Sequence, residues 1–182
     1  MYEIWNRFQY MLSPQFDIYE NAAKVVRGKV ADVGCGTGFG THILTRNATE
    51  VHGYEIDNGA LRFCQRVFGN KKIWFHYGDI VKGLSGQYDF VTMIDVIEHI
   101  EQDRKALMNC KALLKDSGIF ILSTPNRLSR YRKAQTHVRE YSHSELKTLL
   151  KRVFTQVDIR DFKFDEPTSK YSNPIVAVCG NR

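Results

Sequence analysis

The chemistry of this sequence starts at Asp32-Val-Gly34-Cys35-Gly36-Thr-Gly38. Glycines at alternate positions let a backbone turn sharply and let a ligand lie against it with no side chain between. Asp32, two residues ahead of the first glycine, opposes a pyrophosphate and suits a cationic ligand. The third glycine also comes one residue too early for the G-x-G-x-x-G spacing of dinucleotide turns, and Phe39 stands where that glycine belongs. Two more carboxylates, Glu55 and Asp79, each follow an apolar run. Further on, Asp95-Val-Ile-Glu98-His99 has the spacing that puts three polar groups on one helical face. Such a set can take a proton from an acceptor hydroxyl, or can offer oxygen and imidazole ligands to a hard divalent ion. It also reads as a capping box, with Asp95 as N-cap and Glu98 reaching back. Finally, Arg127, Arg130, Arg132, Lys133 and Arg139 crowd one stretch that has no acidic residue before Glu140. That excess suits a phosphate, a carboxylate or a nucleic-acid backbone, and Tyr131 and Tyr141 supply rings for stacking.

Strands and helices must hold these residues at one place. The pattern predicts a helix over 14–27, a strand at 29–33 running into the glycine turn, and a helix over 41–48. A second strand follows at 51–56, then a helix over 58–67 capped by Asp57. Strands at 72–78 and 88–94 come next, the latter apolar enough to be covered on both faces. An amphipathic helix over 103–115 is closed by Asp116-Ser117-Gly118, and a fifth strand spans 118–124. A helix over 142–154, capped by Ser142 or Ser144, precedes two final strands at 155–164 and 173–180, one of them antiparallel. This alternation implies an α/β, doubly wound, mostly parallel seven-stranded sheet with helices on both faces. Ligands in such sheets bind beyond the carboxyl ends of the strands at the topological switch point, which is where Asp32–Gly38, Glu55, Asp79 and Asp95 fall.

The chain has 182 residues, 43% of them hydrophobic, and this supports one domain over 1–182 with its own core. Residues 1–28 read as a helical segment covering the cofactor side, with Trp5, Phe8, Tyr10 and Tyr19 as a lid or as packing on the sheet. No apolar stretch nears the ~20 residues of a membrane span. The start has no secretory-signal pattern. Four scattered cysteines without a C-x-x-C argue for a reducing, cytoplasmic setting. The net charge of +6 is mildly basic.

The motif at 30–38 resembles motif I of the class I S-adenosylmethionine-dependent methyltransferases, the ubiquinone-pathway-like O-methyltransferase or type 11 group in particular. Val51–Asp57 is similar to their second motif, Gly78-Asp79-Ile80 to their adenine-contacting position, and Tyr88–Val91 to their usual start of strand four. Leu113–Ile119 resembles their turn into strand five, with Asp-Ser-Gly replacing Pro-Gly-Gly. The resemblance implies S-adenosyl-L-methionine as cofactor. It would be held by Asp32, Gly34, Cys35, Gly36, Gly38, Glu55, Ile56, Asp79, Ile80 and Asp95, with Glu55 on the ribose hydroxyls and Asp79 on the adenine amino group.

It further implies methyl transfer to an oxygen of a small or anionic acceptor. His99 and Glu98 are the catalytic candidates, and Asn126, Arg127, Arg130, Arg132 and His137 the substrate contacts. The D-x-x-E-H segment is also similar to metal-dependent 2′-O-methyltransferases acting on small RNAs. In that alternative Asp95, Glu98, His99 and His137 hold Mg2+ or Mn2+ and RNA is the acceptor. The residues after strand five depart from the RNA family, lacking its paired His-x-His. A third reading is a non-catalytic, cofactor-binding partner protein. DNA amino-methyltransferases and cytosine-C5 enzymes are excluded by the absence of a Pro-Pro tetrad after strand four and of any Pro-Cys.

Overall fold

The computed structural model describes residues 14–130 and 134–181. Its strands are β1 (Lys29–Val33), β2 (Glu50–Glu55), β3 (Ile73–Tyr77), β4 (Tyr88–Ile94), β5 (Leu114–Thr124), β6 (Gln156–Arg160) and β7 (Ile175–Gly180). They form one sheet in the order β3-β2-β1-β4-β5-β7-β6. The first five are parallel to one another, and β7 runs antiparallel to both β5 and β6. The chain winds outward from β1 in one direction and from β4 in the other. The switch point therefore lies between β1 and β4.

Alternation along the strands sends side chains to two cores. Val30 joins Ile18, Ala22, Ile43 and Leu44 beneath helices α1 (Pro14–Val25) and α2 (Phe39–Leu44). Ala31 and Val33 join Leu107, Cys110, Leu146 and Leu150 beneath α4 (Asp103–Ala112) and α5 (His143–Leu150). Helix α3 (Asn58–Phe68) packs Leu61, Cys64 and Phe68 on Ile73 and Phe75 at the β3 side. The caps follow local chemistry. Asp57 accepts the Ala60 N–H at 2.6 Å at the start of α3, and Ser142 forms a capping box with Glu145 at α5.

Several boundaries differ from the sequence pattern. Helix α2 starts at Phe39, directly out of Gly38, whose φ of 79° begins the turn of helix without a side-chain cap. Helix α4 ends at Ala112, and β5 starts at Leu114. The Asp116-Ser117-Gly118 segment lies within an irregular stretch of β5 where the register with β4 shifts between Tyr88 and Phe90. Strand β6 stops at Arg160 because Asp161 turns the chain, accepting the N–H groups of Lys163 and Asp165. The expected helix at 95–99 is a single 3-10 turn, Ile97–His99. Asp95 sits at φ 53° and caps nothing; its carboxylate accepts from Ser123 and Gln15 instead.

Asp32 ties these elements together. It is fully buried at the end of β1. Its carboxylate accepts hydrogen bonds from Tyr19 of α1 at 3.1 Å, Thr41 of α2 at 2.7 Å and Thr92 of β4 at 2.7 Å. Tyr19 reaches it across Gly40, where a Cβ would lie 2.1 Å from the phenol ring. Gly40→Ala should therefore displace α1 and cost about 1–3 kcal/mol in denaturant unfolding.

Burial pushes the Asp32 carboxyl up from 3.8 to about 6, against the pull of its three hydroxyl donors. A folded pKa above the unfolded one gives stability that is complete below about pH 4 and is lost as pH rises through about 6. Asp32→Asn cannot ionise, and the surrounding hydroxyls can rotate to suit the amide. Its stability relative to the natural chain should rise by roughly 3 kcal/mol between about pH 4 and pH 8. Urea titrations of both proteins across that range check this.

Candidate active site

Two cavities meet at the switch point. The larger, of about 480 Å³, is lined by Gly34, Tyr54, Glu55, Ile56, Asp79, Ile80, Asp95, Val96, His99 and Glu101 among others. The smaller, of about 180 Å³, is lined by Gln15, Phe16, Tyr19, Gly34, Cys35, Gly36, Phe39 and Asp95 among others. Gly34 and Asp95 belong to both, so the two form one trough across the carboxyl ends of β1 and β4.

The glycine turn shapes the trough by close approach. Gly34 has φ 70°, and a Cβ there would lie 2.5 Å from Val96. Gly36 has φ 54°, and a Cβ there would meet nothing within 4 Å, so its trough side is open. The Cys35 thiol turns inward among Leu61, Cys64 and Phe75, leaving only its backbone for a ligand. Glu55 leaves β2 with both oxygens engaged: Gly36 N–H donates to one at 2.8 Å, and Ile56 and Asp57 N–H donate to the other at 2.7 and 2.9 Å. These bonds fix the carboxylate where it faces the trough, and the oxygen that takes Gly36 N–H retains a further lone pair. Asp79 is oriented the same way by Val81 N–H at 2.9 Å. Exposed Ile56 and buried Ile80 give apolar lining beside the two acids. Carboxylate acceptors, apolar flanks and an open glycine backbone fit a cationic nucleoside with ribose hydroxyls and an amino-bearing ring.

Asp32 departs from the expected arrangement. It lines neither cavity, because three hydroxyls seal it beneath the turn. It braces the turn from below.

Beyond the switch point, Asp95 is raised above its ordinary value by burial, which the bonds from Ser123 and Gln15 partly offset. Glu98 is 1% exposed and accepts from Thr124 at 3.0 Å. Burial first, and the Asp95 charge second, push its carboxyl up to about 8, so it keeps its proton at neutrality. His99 lines the trough. Its Nδ1 lies 3.0 Å from the Thr136 carbonyl, which can only accept, so this nitrogen carries the proton and Nε2 carries the lone pair.

The segment 136–140 is sewn to the same turn. Val138 and Arg139 N–H donate to the Glu98 carbonyl at 2.8 and 3.2 Å. The His137 ring stands edge-on to His99 at 4.9 Å, with its Nδ1 2.6 Å from Glu140. Ligand atoms of Glu98, His99 and His137 lie within 4.8 Å of one another. Asp95 is outside that group, so the four-residue set of the metal alternative reduces to three.

Of the expected substrate contacts, His137 lies against His99, and the other described ones fall elsewhere. Asn126 is fully buried, and its amide donates to the Lys170 and Ser172 carbonyls while accepting from Leu128 N–H; it locks a loop. Arg127 makes a two-pronged bond to Glu145 at 2.6 and 2.9 Å. Arg139 pairs with Asp103 at 2.6 Å. Both arginines line a separate concavity of about 610 Å³. Arg130 is exposed and lines neither part of the trough. Arg132, Lys133 and Tyr131, and the N-terminal Trp5, Phe8 and Tyr10, lie outside the described residues. Sequence reasoning missed Gln15, Thr41, Thr92, Ser123, Thr124 and Glu140, whose only signal is proximity in the fold.

Residues 9–156 match the family described as "Methyltransferase domain". A probable S-adenosylmethionine-dependent methyltransferase of Mycolicibacterium smegmatis is 26% identical over 149 residues, covering 78% of this chain and 57% of that protein. A ubiquinone biosynthesis O-methyltransferase of Haemophilus ducreyi is 29% identical over 129 residues, covering 65% and 55%. The chain thus spans a little over half the length of these curated relatives. In fold it is similar to an S-adenosylmethionine-dependent methyltransferase from Clostridium acetobutylicum, with a TM-score of 0.77 at 15% identity, over 98% of this chain and 96% of that one. With a family match over most of its length and a trough whose acids and glycines suit a cationic nucleoside, the chain belongs to the class I S-adenosylmethionine-dependent methyltransferases.

Proposed function

We propose that the chain binds S-adenosylmethionine in the trough and catalyses transfer of its methyl group to a hydroxyl of a small acceptor. The observation that carries this is the meeting of two cavities at Gly34 and Asp95, with Glu55 and Asp79 fixed along one arm. The cofactor, when bound, supplies a methyl already activated on a sulfonium. The chain's part is to bind, to orient and to move one proton. Glu55 offers its remaining acceptor site to the ribose hydroxyls and Asp79 an acceptor to the adenine amino group, and Ile56 and Ile80 flank the ring. Asp95, at the junction, favours the cationic end. His99, which lines the trough, offers Nε2 as the base that takes the acceptor's proton. The Thr136 carbonyl holds its tautomer. Orientation supplies most of the rate, because the donor is activated beforehand.

A second reading is favoured by the grouping of Glu98, His99 and His137. Both imidazoles are held through Nδ1, by Thr136 and by Glu140, which is how metal-binding histidines are oriented from behind. A divalent ion there would draw the proton from Glu98 and lower the pKa of an acceptor hydroxyl.

Calorimetry should show S-adenosylhomocysteine binding to the purified chain, weakened about 10- to 100-fold by Glu55→Ala, the loss of hydrogen bonds to a charged group. No binding by the natural chain refutes the proposal. Transfer of labelled methyl to phenols, catechols and RNA, with and without a chelator, separates the two readings. Chelator-resistant transfer that His99→Ala abolishes supports the base. Transfer lost to chelator and restored by Mg2+ or Mn2+ supports the ion, and restriction to RNA 3′ ends would make RNA the acceptor.

A further inference from the structure

The sign of the charges around the trough carries information about the acceptor that the cofactor does not explain. Glu55, Asp79, Asp95 and Glu101 line its larger arm, and buried Glu98 stands behind. Among the described residues, no lysine or arginine lines either arm. Lys82 approaches Asp79 at 3.7 Å from outside the lining, on the arm assigned to the nucleoside. Arg127 and Arg139, from the basic stretch after β5, are fastened to Glu145 and Asp103 around a different concavity.

Glu55 and Asp79 are assigned above to the cofactor, and Glu101 has no such assignment. It follows His99 by two residues and lines the larger arm with it. It is exposed and forms no ion pair among the described residues. An uncompensated carboxylate at the mouth of a cleft already rich in acids attracts a cation and rejects an anion, both on approach and when bound.

We propose that the methyl acceptor carries a positive charge, as a protonated amine does, and that Glu101 is a specificity-determining residue that reads it. This rests on the methyltransferase reading of the trough, and it deepens that reading by naming the acceptor's charge. Arg127 and Arg139 are then no anion site for the acceptor, and a phosphate-rich acceptor is disfavoured.

Dopamine and dihydrocaffeate test it, since each is a catechol whose short tail ends in an ammonium or a carboxylate. Each is titrated by calorimetry into the full chain saturated with S-adenosylhomocysteine, without added metal. Dopamine should bind at least ~10-fold more tightly. Glu101→Gln should shrink that preference several-fold, and Glu101→Lys should reverse it. Unchanged homocysteine-nucleoside affinity and melting temperature in both variants would confirm that only the acceptor end has changed. Equal binding of the two catechols, no binding of either, tighter binding of dihydrocaffeate to the natural chain, or a preference that survives Glu101→Lys overturns the proposal. Failure of the initial saturation with S-adenosylhomocysteine would instead refute the methyltransferase reading beneath it.

Discussion

A carboxylate with no access to water is costly unless the protein replaces every bond that water made. Asp32 meets that demand with three hydroxyls from three elements, and the demand organises the molecule. Tyr19 must come close, so α1 must lie against α2, so residue 40 must have no Cβ. Thr41 must point inward from the first turns of α2, which fixes where that helix leaves Gly38. Thr92 must face β1, which sets the pairing of β1 with β4, where Asp32 and Thr92 are register partners. The glycine turn therefore departs from an anchored point. The same helix α1 sends Gln15 to Asp95, so one element braces the acids on both sides of the switch point.

The remaining acids show how a cleft can hold several like charges. Each is satisfied by its own donors. Glu55 has three amides, Asp79 an amide and a distant lysine, Asp95 a serine and a glutamine. Glu98 is the extreme case: buried beside Asp95 with Thr124 as donor, it retains its proton, so it adds no charge to the group at neutral pH. Satisfied hydrogen bonds do not cancel net charge, however. Amide and hydroxyl donors orient the carboxylates without neutralising them, and a cationic occupant is the missing counter-charge.

Much of this was legible from local pattern. Strand-helix alternation placed the sheet, the glycine run placed its switch point, and Glu55, Asp57 and Ser142 sit where strand ends and caps require. What the pattern could not carry was long-range. Asp32 looked like a ligand contact because its partners lie 9, 13 and 60 residues away. Asn126 looked like a substrate contact because the carbonyls it holds are 44 and 46 residues on. The D-x-x-E-H segment has helical spacing, yet Ser123 on the neighbouring strand captures both the Asp95 side chain and its backbone N–H. The chain then takes a left-handed conformation at Asp95, and only a single 3-10 turn follows.

The arginines illustrate the same point with opposite consequences for function. Their density suggested an anion site, and density is a property of sequence. Direction is a property of the fold. Asn126 fastens the loop after β5 to residues 170 and 172, so Arg127, the next residue, projects toward Glu145 of α5 rather than back over β4. Arg139 leaves the segment sewn to Glu98 and meets Asp103 at the start of α4. The chain is thus net basic at +6 while, among the described residues, the charged side chains lining its trough, histidine aside, are acids. A positive exterior and a negative cleft make opposite demands on an approaching ligand. At physiological salt the field of the outer charges decays over about 8 Å, whereas carboxylates gathered between low-dielectric walls act on whatever has already entered. Selection by charge therefore belongs to the cleft, and the overall charge of the chain is a poor guide to what it binds.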